Sequence, residues 1–244
     1  MTDELLQKFT TDAVPGHPNK PPRDASTLIL LDRSGPAPKV LMGKRHQGQV
    51  FLPGGFVFPG GRVDAADRQM VPGVPLDPRA EAKLMRETRR PSALKARALA
   101  LAAVRETFEE TGLLLGTKRD DAPRAPTGPW EAFAEAKIHP DLSTMHFIAR
   151  AITPPRRVRR YDTRFFTMDA SAIAHKIEGK VGPDSELVEL VWLPLPEIKQ
   201  RIQLMVITEI VLRDLMAQID AGFSHDLPVP YYHVVHGKRV RDLL

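Results

Sequence analysis

Arg105-Glu106-Thr107-Phe108-Glu109-Glu110-Thr111-Gly112 is the stretch on which the reading of this chain turns. On a helix advancing about 100° per residue, Glu106, Glu109 and Glu110 fall within about 100° of one another. The apolar stripe of Leu101, Val104 and Phe108 lies on roughly the opposite side. Three carboxylates on one face repel, at a cost of about a few tenths of a kcal/mol per pair. A hard divalent cation, which takes carboxylate oxygens as ligands, is their natural compensation. A bare E-x-x-E-E is also how a solvated acidic face reads, so its surroundings decide.

Working upstream, Ser92 is placed to cap a helix running to about Thr111, and Gly112 supplies a left-handed stop. Pro91 closes an earlier helical stretch from Arg79 to Arg89, which Asp77-Pro78 opens. Ser26 to Leu31 predicts a buried strand, and Lys39 to Arg45, beyond the Gly35-Pro36-Ala37-Pro38 turn, predicts its hairpin partner. Two Pro-Gly-Gly turns, Pro53-Gly54-Gly55 and Pro59-Gly60-Gly61, flank Phe56-Val57-Phe58.

Downstream, Gly116 to Gly128 reads as a loop and Pro129 to Lys137 as a short helix. Strands are expected over Met145–Ile152, Arg164–Met168 and Leu187–Leu193, with helices over Pro196–Gln203 and Met205–Asp220. Strands interleaved with helices indicate an α/β or mixed α+β class. Residues 1–25, holding Pro15, Pro18, Pro21 and Pro22, read as an arm or tail. Residues 26–244 then form one domain, with a segment of different character at about 68–91 and a C-terminal helical part at about 196–244.

Composition narrows the chemistry. The chain has no cysteine, which excludes disulfides, cysteine-ligated zinc, iron–sulfur clusters and thiol nucleophiles. The acidic start Met1-Thr2-Asp3-Glu4 lacks the basic and apolar regions of a signal peptide, and no apolar run is long enough to span a bilayer. A cytoplasmic protein without a membrane partner is therefore expected. The net charge of +5 suits either a nucleic-acid surface or an anionic small substrate. No Lys/Arg stripe with interleaved aromatics is present, which favours the small substrate.

R-E-x-x-E-E-x-G resembles the second half of the Nudix box, G-x5-E-x7-R-E-U-x-E-E-x-G-U, where U is a bulky apolar residue. Leu113 fills the last U, while Thr107 stands where the first is expected. Phe58-Pro59-Gly60-Gly61-Arg62-Val63-Asp64 resembles the opening turn, with Gly61 as its glycine and Asp67 where glutamate is expected. Gly61 and Arg105 are 44 positions apart, so roughly 30 residues are inserted in the box. Such an insertion is similar to that of the coenzyme A diphosphatase branch. That branch's upstream signature, L-L-[TS]-x-R-[SA]-x3-R-x3-G-x3-F-P-G-G, is matched by Leu41, Arg45, Gly54 and Phe58-Pro59-Gly60-Gly61. Met42, Gly43, His46 and Val50 depart from it, Val50 replacing an arginine. Arg159 to Phe166 also looks like this branch, so the resemblance covers roughly residues 26–195.

The resemblance implies a Nudix α/β/α sandwich with a mixed sheet. It implies hydrolysis of a nucleoside diphosphate linked to a group X, with Mg²⁺ (or Mn²⁺) held by Glu106, Glu109 and Glu110. Coenzyme A or an acyl-CoA leads as substrate, with ADP-ribose, NADH, dinucleoside polyphosphates and capped RNA as rivals. A catalytically silent nucleotide-binding module is the alternative of another class. Arg105 is expected to hold the carboxylates, and Arg45, Gly54, Gly60 and Gly61 to approach the substrate. Glu186 and Glu189 offer a further acid from a later loop. Arg156, Arg157, Arg159 and Arg160 form either a phosphate clamp or a solvated basic loop. Tyr161, Phe165 and Phe166 are core rings or a base-stacking surface. His233 and His236 suit packing or the surface better than a metal. A homodimer is the family-level expectation.

Overall fold

Leu28, Ile29, Leu30 and Leu31 are all buried in strand β1 (Arg23–Asp32). Such an unbroken apolar run is what a strand covered on both faces requires. Successive side chains alternate, so Leu28 and Leu30 enter one core while Ile29 and Leu31 enter another. The computed structural model describes residues 18–49, 52–202 and 204–244. The arm before residue 18, and Val50 with its departure from the branch signature, lie outside the described residues.

After β1 come β2 (Lys39–Arg45), β3 (Phe56–Val57) and β4 (Gly60–Arg62). Helices α1 (Ala65–Gln69) and α2 (Pro78–Met85) precede the long α3 (Ala93–Thr111). Then follow β5 (Leu113–Leu115), β6 (Thr117–Lys118), α4 (Glu131–Glu135) and β7 (Ile138–His139). Next are β8 (His146–Ile152), β9 (Tyr161–Asp169), β10 (Ile173–Lys176) and β11 (Leu187–Pro194). The last are α5 (Ile198–Arg201), α6 (Val206–Asp220), β12 (Pro230–Val235) and β13 (Lys238–Leu243).

Among the described residues nine strands make one mixed sheet in the order β11-β2-β1-β9-β8-β12-β13, with β3 on β2 and β4 on β1. β1 runs parallel to β9 and antiparallel to β2 and β4. Helix α3 packs its Leu101, Val104 and Phe108 into the core beneath Leu28, Leu30 and Phe166. Helix α6 covers the opposite face through Ile210, Val211 and Leu215. The architecture is the expected mixed α/β sandwich. The α3 ends follow their sequence signals: Ser92 Oγ accepts from Lys95 N at 3.1 Å, and Gly112 adopts φ 78° beyond the last turn.

Several expectations need correction. The C-terminal part is helical only as far as Asp220; Pro230 to Leu243 is a hairpin that extends the sheet. Its two-residue turn, His236-Gly237, has positive φ at both positions (49° and 77°), the conformation that matches the strand twist. β1 starts at Arg23, three residues inside the supposed arm. The segment expected to stay helical to Arg89 stops at Met85, where Arg86 turns extended. There the buried Arg150 donates to the carbonyls of Arg86 (3.3 Å) and Glu87 (3.0 Å) and draws the backbone out of the helix. Pro196–Gln203 keeps one α-helical turn, Ile198–Arg201, and Gln203 lies outside the described residues.

The anchoring Arg150 belongs to a buried ionic network. It grips Asp162 through two hydrogen bonds of 2.8 and 2.7 Å, and its guanidinium lies 4.4 Å over the Tyr231 ring. Arg164, wholly buried, donates to Asp24 at 2.8 Å, and Lys95 of α3 reaches the same carboxylate at 2.9 Å. Removing one partner from such a buried pair costs about 3–5 kcal/mol, because the other charge is left without compensation.

Candidate active site

The last two turns of α3 lie across β4, which β1 holds in register through Ser26↔Gly61 and Thr27↔Gly60. That approach needs glycine. A Cβ on Gly61 would stand 2.4 Å from the Glu106 carboxyl carbon, and one on Gly60 would stand 2.6 Å from the Ser26 carbonyl oxygen. Close approach to backbone rather than a left-handed φ is what Gly60 requires, while at Gly61 a Cβ would displace the Glu106 carboxyl. Gly54, by contrast, does sit at φ 67°, in the turn that feeds β3.

Arg105 is the organiser. Its guanidinium is almost fully buried and meets Asp67 twice, Nε to Oδ1 at 2.8 Å and Nη2 to Oδ2 at 3.1 Å. Nη2 also donates to the Arg62 carbonyl at 2.7 Å, and Nη1 reaches Glu106 Oε1 at 3.0 Å and Glu109 Oε2. Burial works against the cation, but the hydrogen bonds and charge of Asp67 outweigh it and raise the arginine above its usual value. Asp67 is wholly buried; it also accepts from Asp64 N at 2.8 Å, closing the capping box of α1. The acid counted at the box's glutamate position thus holds the arginine, across the intervening helices.

The glutamates face different surroundings. Glu109 is turned to Arg105 and partly exposed. Burial, reinforced by the charge of Glu109 and opposed by Arg105, pushes Glu106 up to about 7. Glu110 is raised well above the carboxylate range by burial, then by the charges of Glu186 and Glu106. Its backbone partner is Gly60, and its buried Oε2 has no hydrogen-bond partner. Glu186 enters from the loop before β11 and pairs with Arg45 at 3.0 Å, while Arg45 also bonds Gln49 at 2.9 Å. Five carboxylates (Asp67, Glu106, Glu109, Glu110 and Glu186) thus share two guanidinium groups, Arg45 and Arg105.

Among the described residues no three or more His, Asp or Glu side chains are gathered tightly enough to hold a metal ion as they stand. The donor chemistry nevertheless fits a hard divalent cation. An excess of carboxylates, one with a buried unpaired oxygen, is the set that Mg²⁺ or Mn²⁺ accepts.

Other expected residues lie elsewhere. Arg160 donates to the Thr153 carbonyl (3.1 Å), Asn19 Oδ1 and the Lys20 carbonyl (both 2.6 Å), tying the chain entering β1 to the β8–β9 connection. Arg157 lies near enough to Arg239 of the C-terminal hairpin for its charge to help burial lower that arginine to about 10. Phe165 and Phe166 are core residues. His233 pairs with Asp242 at 2.6 Å and stacks on Tyr231. Thr107, in place of a bulky apolar residue, is buried with its hydroxyl donating to the Ala103 carbonyl at 2.8 Å. Sequence reasoning missed Trp130, whose indole nitrogen donates to Asp67 Oδ1 at 3.3 Å; nothing in its local pattern points to the box.

No family model matches the chain. Among solved structures it is similar to a Nudix hydrolase from Alicyclobacillus acidocaldarius, with TM-score 0.62 and 27% identity over 85% of this chain and 97% of that one. It also matches the Nudix domain of Shewanella oneidensis NrtR, solved in complex with ADP ribose, at TM-score 0.45 and 14% identity over 90% and 99% of the two chains. A MutT protein from Bacillus halodurans matches at TM-score 0.45 and 13% identity, over 90% and 97%. The first of these likenesses, with the geometry above, supports the Nudix superfamily for this chain and with it the hydrolase class.

Proposed function

We propose that the protein is a divalent-metal-dependent diphosphohydrolase acting on a nucleoside diphosphate linked to X, with coenzyme A or an acyl-CoA as the leading substrate. The observation that carries the reading is Glu110: a buried carboxylate with an unpaired oxygen, beside the like charges of Glu106 and Glu186. A module that bound nucleotide without a cation would gain nothing from burying such a group.

Glu106, Glu109 and Glu110 would hold Mg²⁺ or Mn²⁺, with Glu186 as a further acid from the loop before β11. When bound, the cation neutralises diphosphate oxygens and eases attack by water. Arg105 keeps Glu106 and Glu109 on one side of the helix, so that metal binding does not have to order them. Glu106 shares metal and base duties, a base contribution being worth about 10²–10⁴-fold. A substrate phosphate oxygen would compete with Glu186 for the Arg45 guanidinium. Water adds to one phosphorus, the bond to the bridging oxygen breaks, and both phosphates leave as monoesters. For coenzyme A the products are 3′,5′-ADP and 4′-phosphopantetheine.

The choice of coenzyme A rests on Leu41, Arg45, Gly54 and Phe58–Gly61 in register with that branch, and on the inserted segment within the box. ADP-ribose, NADH and dinucleoside polyphosphates remain the alternatives. Chromatographic product analysis with Mg²⁺ over coenzyme A, acetyl-CoA, ADP-ribose, NADH and diadenosine polyphosphates decides among them, with Glu109→Gln as control. 3′,5′-ADP from the CoA compounds, lost in the variant, is expected. Turnover of another compound alone removes the CoA assignment, and no Mg²⁺-dependent turnover at all sinks the enzyme reading. Light scattering on the same sample checks the homodimer that the resemblance implies.

A further inference from the structure

The buried Asp67 carboxylate has four donors for its lone pairs. Oδ2 accepts from Asp64 N at 2.8 Å and from Arg105 Nη2 at 3.1 Å, while Oδ1 accepts from Arg105 Nε at 2.8 Å and from Trp130 Nε1 at 3.3 Å. Asp64 and Arg105 belong to the box and its opening turn. Trp130 does not: it comes from the segment that follows the box helix, at the start of α4. Its ring is wholly buried and packs 4.9 Å from Phe133, which meets Phe108 of α3 edge-on at 5.6 Å. The indole is thus fixed against the same helix whose arginine its N–H helps to orient.

Resting on the metal-dependent reading above, we propose that Trp130 is a positioning residue of the box. Its N–H holds the Asp67 carboxylate in the plane that grips Arg105, and Arg105 in turn holds Glu106 and Glu109 ready for the cation. Asp67 lacks the extra methylene of the glutamate usual in the pattern, so it has less reach to adjust. Without the Trp130 N–H, Oδ1 keeps Arg105 Nε as its donor while Oδ2 keeps Arg105 Nη2 and Asp64 N, so the grip persists with one restraint fewer on the carboxylate plane. The bond is long for its type, so the effect falls at or below the low end of the 10–100-fold cost usual for groups that orient metal ligands.

Two variants separate positioning from packing. Trp130→Phe keeps a ring and removes the N–H; Phe133→Leu loosens the aromatic stack and keeps the N–H. Trp130→Phe is expected to raise the half-saturating Mg²⁺ concentration and lower kcat by about threefold to tenfold, with KM for the nucleotide unchanged. Phe133→Leu is expected to lower the thermal midpoint and leave the Mg²⁺ dependence alone. Independently of turnover, the Trp130 indole ¹⁵N–¹H resonance, assigned with Trp192→Phe, is expected to shift with Mg²⁺ in step with the backbone amides of Glu109 and Glu110. If those amides respond while the indole does not, or if both variants change the Mg²⁺ dependence alike, Trp130 is a packing residue and the proposal is overturned. If Mg²⁺ moves no resonance in the box helix, the metal reading itself fails and takes this inference with it.

Discussion

Two clusters of buried charge lie on the same face of the sheet, one toward each end of α3, and they are built on opposite terms. Toward its N-terminus, Arg150, Arg164 and Lys95 meet Asp162 and Asp24 and the carbonyls of Arg86 and Glu87. Each carboxylate there meets two cations, and the carbonyls of Arg86 and Glu87 take further donors, leaving Arg164 Nε as the unpaired atom. At the C-terminal end, five carboxylates share two guanidinium groups and Glu110 Oε2 has no partner. A cluster in which every carboxylate is paired fastens the segment between β4 and α3 to the sheet. An unbalanced one stores repulsion that a cation can relieve, which is how a binding site differs from a brace.

Changing one residue in each cluster should therefore have opposite consequences. Glu110→Gln is expected to lower Mg²⁺-dependent kcat by about 10³-fold or more, since it removes a cation ligand with no substitute. The same substitution should raise the thermal midpoint of the metal-free protein. Burial and like charge raise this carboxyl in the folded state, so its contribution to stability is lost as pH rises above the usual carboxylate range, and glutamine removes that loss. A lower midpoint at neutral pH would mean the acidic cluster is no less a brace than its counterpart. Arg150→Ala should do the reverse: lose about 3–5 kcal/mol in urea denaturation while the surviving folded protein keeps its Mg²⁺ half-saturation. Loss of Mg²⁺ response in that variant would show the clusters to be coupled along α3.

The smallest effect expected tests a third polar group, lying where α2 meets the sheet. His146 stacks on His225 at 3.9 Å and on Phe223 at 4.0 Å. Burial, then the charges of His225 and Arg33, lowers His146 to about 4 from its usual 6.5. Between those values the unfolded chain binds the more protons, so stability falls as pH drops from 6.5 toward 4. With partial exposure discounted, the loss is on the order of 1 kcal/mol, and His146→Phe should flatten it. An unchanged slope in the variant would assign that pH dependence to His225, which burial also lowers, or to the carboxylates.

Most of the scaffold was legible because it rests on local rules. Ser92 and Gly112 bound α3 as their side chain and backbone preferences dictate, and the Leu28–Leu31 run announced a strand covered on both faces. The C-terminal hairpin was missed because β13 alternates charged residues with little apolar signal, and His236-Gly237 is a turn only by virtue of two positive φ angles. The early stop of α2 has a non-local cause: the carbonyls just beyond it, of Arg86 and Glu87, are claimed by Arg150, more than sixty positions away in the chain.

By itself, the sequence determined the acid face of the box helix, because 3.6-residue periodicity leaves Glu106, Glu109 and Glu110 nowhere else to point. It also singled out Gly60 and Gly61, as a turn rather than the strand β4 that they open, and it indicated the mixed α/β class. Only the tertiary structure decided which glutamate is buried without a partner, that Asp67 holds Arg105, and that Glu186, Arg45 and Trp130 converge there. It also separated Arg160, whose contacts lie at the β8–β9 connection, from that group. The reason is physical: periodicity fixes direction within one element, whereas burial and charge balance depend on which distant side chains the sheet brings alongside.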